Sequence, residues 1–189
     1  MKELIRKESG RSAQSSISSV AEIRKRARAN VEDGAVTTGY RADRETVLKL
    51  LNETLATEIV CVLRYKRHYY MATGIHAQTA ASEFLEHANT EQTHADRIAE
   101  RIVQLGGAPD LNPDTLTSRS HAEYVEGATL KDMLRENLVA ERIAIESYGD
   151  FIRYIGDDDS TTRRLLEEIL ANEEEHADDL KTLMERFTE

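Results

Sequence analysis

The chain has 189 residues with no Trp, nine Gly, two Pro, one Cys and a formal charge of −10, which suits one domain with a sizeable core and excludes an intrachain disulfide. The charge is uneven: residues 1–40 carry eight basic and five acidic side chains, so the rest, at −13, disfavours nucleic acid and suits a protein that concentrates cations. The first residues lack an apolar signal core, and the apolar run Ile59–Leu63 is far too short to cross a bilayer, so a soluble cytoplasmic protein with no membrane partner is expected.

Residues 1–43 read as a flexible N-terminal arm, helical in part. Ser12–Ser19 is polar and serine-rich, and Ala21–Val31 favours a helical turn or two before Gly34 and Gly39 stop it. The Arg24-Lys25-Arg26 cluster is basic, but +3 over forty residues makes DNA an unexpected partner. Four long segments fill residues 44–189. The first runs from Arg44 to about Thr73 and ends at Gly74; the second runs from Gln78 to about Leu105 and ends at Gly106-Gly107. A link holding both prolines, Pro109 and Pro113, reaches about Thr129. The third segment continues to Ile155, with Gly156 as its stop, and Asp157-Asp158-Asp159-Ser160 offers N-cap groups for the fourth, which extends to about Phe187. Each helix is on the order of 40 Å long. Short turns pair the first helix with the second and the third with the fourth, while the link is long enough to run the length of the bundle. The expected fold class is all-α: a four-helix bundle of two antiparallel hairpins joined by a long crossover.

Steps of three and four trace a seam along each helix. The first gives Leu51, Leu55, Glu58, Val62, Tyr65 and Tyr69; the second Phe84, His87, Glu91, His94, Ile98, Ile102 and Leu105. The third gives Leu134, Leu138, Glu141, Ile145, Tyr148, Ile152 and Ile155; the fourth Leu166, Ile169, Glu173, His176, Leu180, Leu183 and Phe187. Every helix thus places a glutamate in mid-seam, and two add a histidine one turn later, as Glu91-x-x-His94 and Glu173-x-x-His176. The spacing repeats between halves: 33 residues from Glu58 to Glu91, and 32 from Glu141 to Glu173. Burying four carboxylates together costs several kcal/mol per ion unless they take up protons or cations. Two divalent cations balance them, and mixed carboxylate and imidazole donors suit iron or manganese. Bridging carboxylates hold two metals roughly 3.5–4 Å apart. The bland alternative is a structural polar network, or surface glutamates phased onto the seam in error; a single E-x-x-H is weak evidence, but two with two isolated glutamates at matched separation argue for a site.

The stretches Leu51-Asn52 through Glu58 to Tyr65, His94-Ala95-Asp96-Arg97 with Glu100-Arg101-Ile102, and Glu168-Ile169-Leu170 with Glu173 and His176 resemble bacterioferritins and Dps-like ferritins of the ferritin-like superfamily over residues 46–187. The resemblance implies a ferritin-like di-iron bundle in which Glu58 and His94 end one iron, Glu141 and His176 the other, and Glu91 and Glu173 bridge. It places Tyr65 beside the metals. It implies a ferroxidase that oxidises Fe2+ to Fe3+ with O2 or H2O2, for iron storage or detoxification under oxidative stress. Gln92 stands where bacterioferritins keep a haem-binding methionine, so no haem is expected. The chain ends one or two turns after Leu180, leaving no room for the fifth helix of 24-subunit ferritins, so a homo-oligomer of twelve is favoured over twenty-four. Dps proteins, however, place their iron between subunits, so a site of the bacterioferritin kind here meets a mini-ferritin outline. Rival readings are a manganese catalase or rubrerythrin-like di-iron peroxidase, and a Dps-like DNA-protecting shell.

Among single residues, His87 reads as a core histidine beside the site or a further ligand, Cys61 as a small buried hydrophobe, and Tyr148 and Tyr69 as core. Gly149 reads as permitting close helix approach, and His68, His76 and His121 as solvent-facing.

Overall fold

The computed structural model describes residues 17–74 and 77–186; Ser12–Ser16 of the serine-rich stretch, His76 and Phe187 lie outside them. The structure is all-helical. Helix α1 (Val20–Ala27) starts at Ser19, whose hydroxyl accepts the Glu22 N–H, and buries none of its side chains. The chain then meets the bundle: Val36, Tyr40 and Ala42 pack on its core, the Tyr40 hydroxyl donates to Asp159 Oδ2 at 2.9 Å, and Arg41 reaches the Asp157 carbonyl and the Asp158 carboxylate. The arm drawn at residue 43 is therefore docked from Val36 onward, held by partners more than 110 residues away that local composition does not reveal.

The bundle consists of α2 (Arg44–Met71), α3 (Ala77–Gln104), α5 (Leu130–Ile155) and α6 (Ser160–Arg186), with a single-turn α4 (Leu116–Arg119) in the crossover. Each start is capped where the sequence offers an oxygen. Asp43 accepts from Thr46 N, Thr129 and Asp132 form a reciprocal capping box, and Asp159 accepts from Thr162 N. Gly156, at φ 51°, takes the left-handed turn that ends α5. Among the described residues, no helix is long and apolar enough to cross a membrane.

Two apolar layers fill the bundle at different heights. One contains Leu51, Leu55, Ile98, Ile102, Phe151, Ile155, Leu166 and Ile169; the other contains Tyr65, Phe84, Leu134, Leu180 and Leu183. Each fully buried Leu, Ile or Phe stabilises the fold by about 1.5–3 kcal/mol. Glu58, Glu91, Glu141 and Glu173 lie between these layers in the register of their helices.

The crossover corrects one expectation. It lies over α2 and buries His68 completely; the ring sits at 3.1 Å from Asn137 Oδ1 and 3.0 Å from the Glu126 carbonyl. Arg64, equally buried, donates to Asn137 Oδ1 and the Glu123 carbonyl. His68 is off the seam of α2, so only the path of a distant loop makes it internal, whereas His121 is exposed as expected. Gly149 needs a second correction. The three atoms nearest a Cβ there belong to the guanidinium of Arg153 on the same helix, from 3.2 Å, so within this chain no neighbouring helix crowds that position.

Candidate metal centre

All four long helices turn charge inward at one level. Glu58 comes from α2, Glu91 and His94 from α3, Glu141 from α5, and Glu173 and His176 from α6; none is more than 6% exposed. The i, i+3 spacing puts each Glu–His pair on one helix face, and the antiparallel hairpins bring the faces together. Donor atoms within 4.8 Å of one another join His87 to Glu141 and His176, and among the six residues they form two groups: Glu58, Glu91, His94 and Glu173; and Glu91, Glu141, Glu173 and His176. The groups share Glu91 and Glu173. His94 Nδ1 lies 3.0 Å from Glu173, 3.2 Å from Glu91 and 3.4 Å from Glu58, and His176 Nδ1 lies 3.2 Å from Glu91.

Four atoms in this cluster, Glu58 Oε2, Glu91 Oε1, Glu173 Oε1 and His176 Nδ1, are buried and make no well-directed hydrogen bond, although each lies within 3.4 Å of an oppositely charged or imidazole partner. An unsatisfied buried polar atom costs about 1–3 kcal/mol, and here the four converge. Two divalent cations would meet the four lone pairs and balance four carboxylates, so the donor set fits a pair of iron or manganese ions.

The electrostatics agree. Burial, then the neighbouring Glu91, pushes Glu58 up to about 8. Burial, followed by the carboxylates Glu91, Glu58 and Glu141, drives Glu173 well above its ordinary range. Glu141 is raised by burial and by Glu91. Glu91 goes the other way: burial pulls upward, but hydrogen bonds with His176, His94 and Glu58 hold it below the usual carboxylate range. Burial disfavours the His94 imidazolium, yet bonds to Glu173, Glu58 and Glu91 prevail and raise it to about 12. The carboxylates thus compete for positive charge, which protons or metal ions can supply.

A second layer of contacts crosses between hairpins. Tyr65 on α2 donates to Glu141 Oε1 on α5, while Tyr148 on α5 donates to Glu58 Oε1 on α2 at 2.6 Å. Tyr148 is core, as expected, but it also touches the site. A signal existed: Tyr65 follows Glu58 by seven residues, and Tyr148 follows Glu141 by seven. Sequence reasoning missed Asn172, whose Oδ1 lies 3.2 Å from His94 Nε2 and orients the ring; nothing local distinguishes it from other polar residues of α6. His87 is buried, stacked on His176 with ring centres 3.9 Å apart and 3.1 Å from the Tyr65 hydroxyl. Burial, then His176, lowers it to about 3. Cys61 is buried, its sulfur 3.6 Å from Arg64 Nη2, and the half-buried Gln92 donates to Asp96.

The two sides of the cluster differ in access. A surface depression of about 330 Å³, lined by Glu86, Asn89, Thr90, Thr93, Arg97 and Asn172, reaches His94 between α3 and α6. The tyrosines lie on the α2–α5 side and are fully buried.

Comparison with known proteins places these features in context. The family model of the ferritin-like domain matches residues 48–189. A bacterioferritin of Mycobacterium avium is 32% identical over 140 residues, covering 74% of this chain and 84% of its own length. Among solved structures, a dodecameric thioferritin related to bacterioferritin, from Bacteroides fragilis, is 30% identical with a TM-score of 0.75, over 77% of this chain and 88% of that one. The Dps of Thermosynechococcus elongatus, at 22% identity and a TM-score of 0.71 over 74% of this chain and 90% of that one, shares the fold.

Proposed function

We propose that this chain, which belongs to the ferritin-like domain family, is a ferroxidase that binds two Fe2+ within one subunit, passes their electrons to O2 or H2O2, and delivers Fe3+ to an oligomeric shell for storage or detoxification. The observation that carries this reading is the convergence on one buried layer of four donor atoms from three helices that make no well-directed hydrogen bond. Relatives named bacterioferritin support it.

In this reading Fe2+ is the substrate. Glu58 and His94 end one position, Glu141 and His176 the other, and Glu91 and Glu173, common to both donor groups, bridge. Four carboxylates offset the charge of two Fe2+ and favour the further positive charge that develops on oxidation. Tyr65 and Tyr148 hold the second oxygens of Glu141 and Glu58, which fixes how each carboxylate presents its remaining lone pairs. Asn172 does the same for His94. The apolar layers on either side keep bulk water away.

The test is anaerobic Fe2+ loading followed by oxygen, with absorbance recording Fe3+. Glu91→Ala removes a carboxylate common to both positions and is expected to slow oxidation by at least about 100-fold; an unchanged rate overturns the assignment. A shell of twelve is the assembly we favour, supported by the dodecameric relative. At 21.4 kDa per chain, solution mass should be roughly 260 kDa, against about twice that for twenty-four.

A further inference from the structure

One apolar face of the bundle is left uncovered. Ile145, expected on the inner seam of α5, is only half-buried, and neither it nor Ile143 joins an apolar layer of the bundle. With exposed Val139 and with Ala177 of α6, they line a surface groove of about 710 Å³ between α5 and α6. Glu146 stands on the α5 wall, and Glu174 and Asp178 on the α6 wall. Among the described residues, the side chains of these three make no ion pair or hydrogen bond. Arg142 and Lys181 also line the groove, so its formal charge is −1, and Lys181 lies 3.9 Å from Glu185.

Helix α1 is the complement of this groove. It buries no side chain. Val20, Ile23 and Ala27 follow one another at steps of three and four, which makes one apolar stripe. A turn of about 100° per residue sets Arg24 on one flank of the stripe and Arg26 on the other, while Glu22 lies on the far side beside Ser19. Residues 20–28 carry four basic side chains and one acidic one; Arg26 reaches only the Ser18 hydroxyl and Arg28 only the Arg24 carbonyl. The lengths match as well. Val20 to Ala27 and Val139 to Glu146 each advance seven residues, about 10 Å of helix. Helices shorter than about 12–15 residues are marginal in water alone, so the eight residues of α1 require a surface to pack on. Their own bundle does not supply it: Tyr40 and Arg41 fasten the arm at Asp157–Asp159, and no residue of α1 lines the groove.

We propose that α1 of a second copy of this chain lies in the α5–α6 groove. Its apolar stripe covers Ile143, Ile145 and Ala177, and Arg24 and Arg26 meet the carboxylates of the two walls. The arm is then a strap between subunits, seated on its own bundle through Val36, Tyr40 and Ala42 and on a neighbour through α1. This contact needs only that the chain self-associates, whatever the buried cluster binds.

Hydrogen exchange on the full-length assembly tests the strap through charge reversal. The α1 amides are expected to exchange at least about 10-fold more slowly in the native protein than in Arg24→Glu with Arg26→Glu. Glu146→Lys with Asp178→Lys should lose the same protection. Co-assembling the two variants should restore it, because each arm then finds a groove of opposite charge only on the other kind of chain. All four residues are exposed, so both variants should fold, and thermal unfolding checks this. Equal exchange in the native protein and the arm variant overturns the proposal, as does a solution mass of one chain. Protection that returns only when both reversals share one chain also overturns it, and makes each subunit's own α1 the occupant. Iron oxidation by the same samples reports on the buried cluster separately.

Discussion

The two sides of the buried carboxylate–histidine cluster are built from different chemistry. On the α2–α5 side, fully buried Tyr65 and Tyr148 each hold a glutamate of the opposite hairpin, and the two carboxylates are buried with them. On the α3–α6 side, histidines line the cluster, a depression reaches His94, and His87, Glu83 and Asp179 run from buried to exposed. One side is sealed by side chains and the other opens toward solvent. Both kinds of residue are polar and buried, so the contrast lies in what stands behind them: on one side a hydroxyl with a single directed proton, on the other a neutral ring and carboxylates near water.

The sharpest way to break this comparison is at a carboxylate that belongs to both sides. Glu173→Ala should slow Fe2+ oxidation by at least about 100-fold, as for Glu91, because it touches both donor groups; stopped-flow absorbance measures it. Loss confined to one of the two ions would show that Glu173 does not bridge.

The next effect is on stability and serves as a control on the same α3–α6 seam, away from the centre. Asp159 is 5% exposed, pairs with Arg101 at 2.9 Å and caps α6. Asp159→Ala leaves a buried guanidinium without its partner and should cost about 3 kcal/mol, roughly 6–12 °C in Tm, with oxidation at low temperature unchanged. Burial works against this carboxylate, but bonds to Thr162 and the Arg101 charge hold it below its ordinary 3.8. A depressed folded value means the stabilisation is fully present above about pH 4 and is lost as pH falls through the lower folded value. The Tm difference between wild type and Asp159→Asn should therefore be constant near neutrality and shrink in acid.

Smaller changes sharpen the contrast. Tyr148→Phe keeps the ring and removes the hydroxyl from Glu58; metal affinity at that position should fall by about 10- to 100-fold, read by anaerobic calorimetry. Asn172→Ala, on the open side where water can replace the lost contact, should fall at or below the low end of that range, roughly 10-fold. Equal losses in the two variants would remove the distinction between a sealed side and an open one.

Much of this organisation was legible in the sequence, for a specific reason. A glutamate in a seam of Leu, Ile and Phe violates the pattern that burial imposes, and it does so once per helix. The same rhythm located the helices to within about three residues, and Asp159 caps α6 from within the Asp157–Ser160 run expected to do so. What stayed hidden depends on contacts between distant segments. The Tyr148 bond to Glu58 spans 90 residues; the Asn172 contact with His94 spans 78. His68 became internal through the course of the crossover, and Tyr40 through a cap of α6. Periodicity reports which face of a helix is buried, not which atoms from another helix meet it there.

The crossed tyrosines carry one more consequence. Each hairpin's own terminal carboxylate is steadied by a side chain borrowed from the other hairpin, so neither half possesses a finished binding position of its own. Half of the molecule would accordingly be a poor trap rather than a half-strength one. In the proposed reading, iron capture therefore requires both hairpins to be docked.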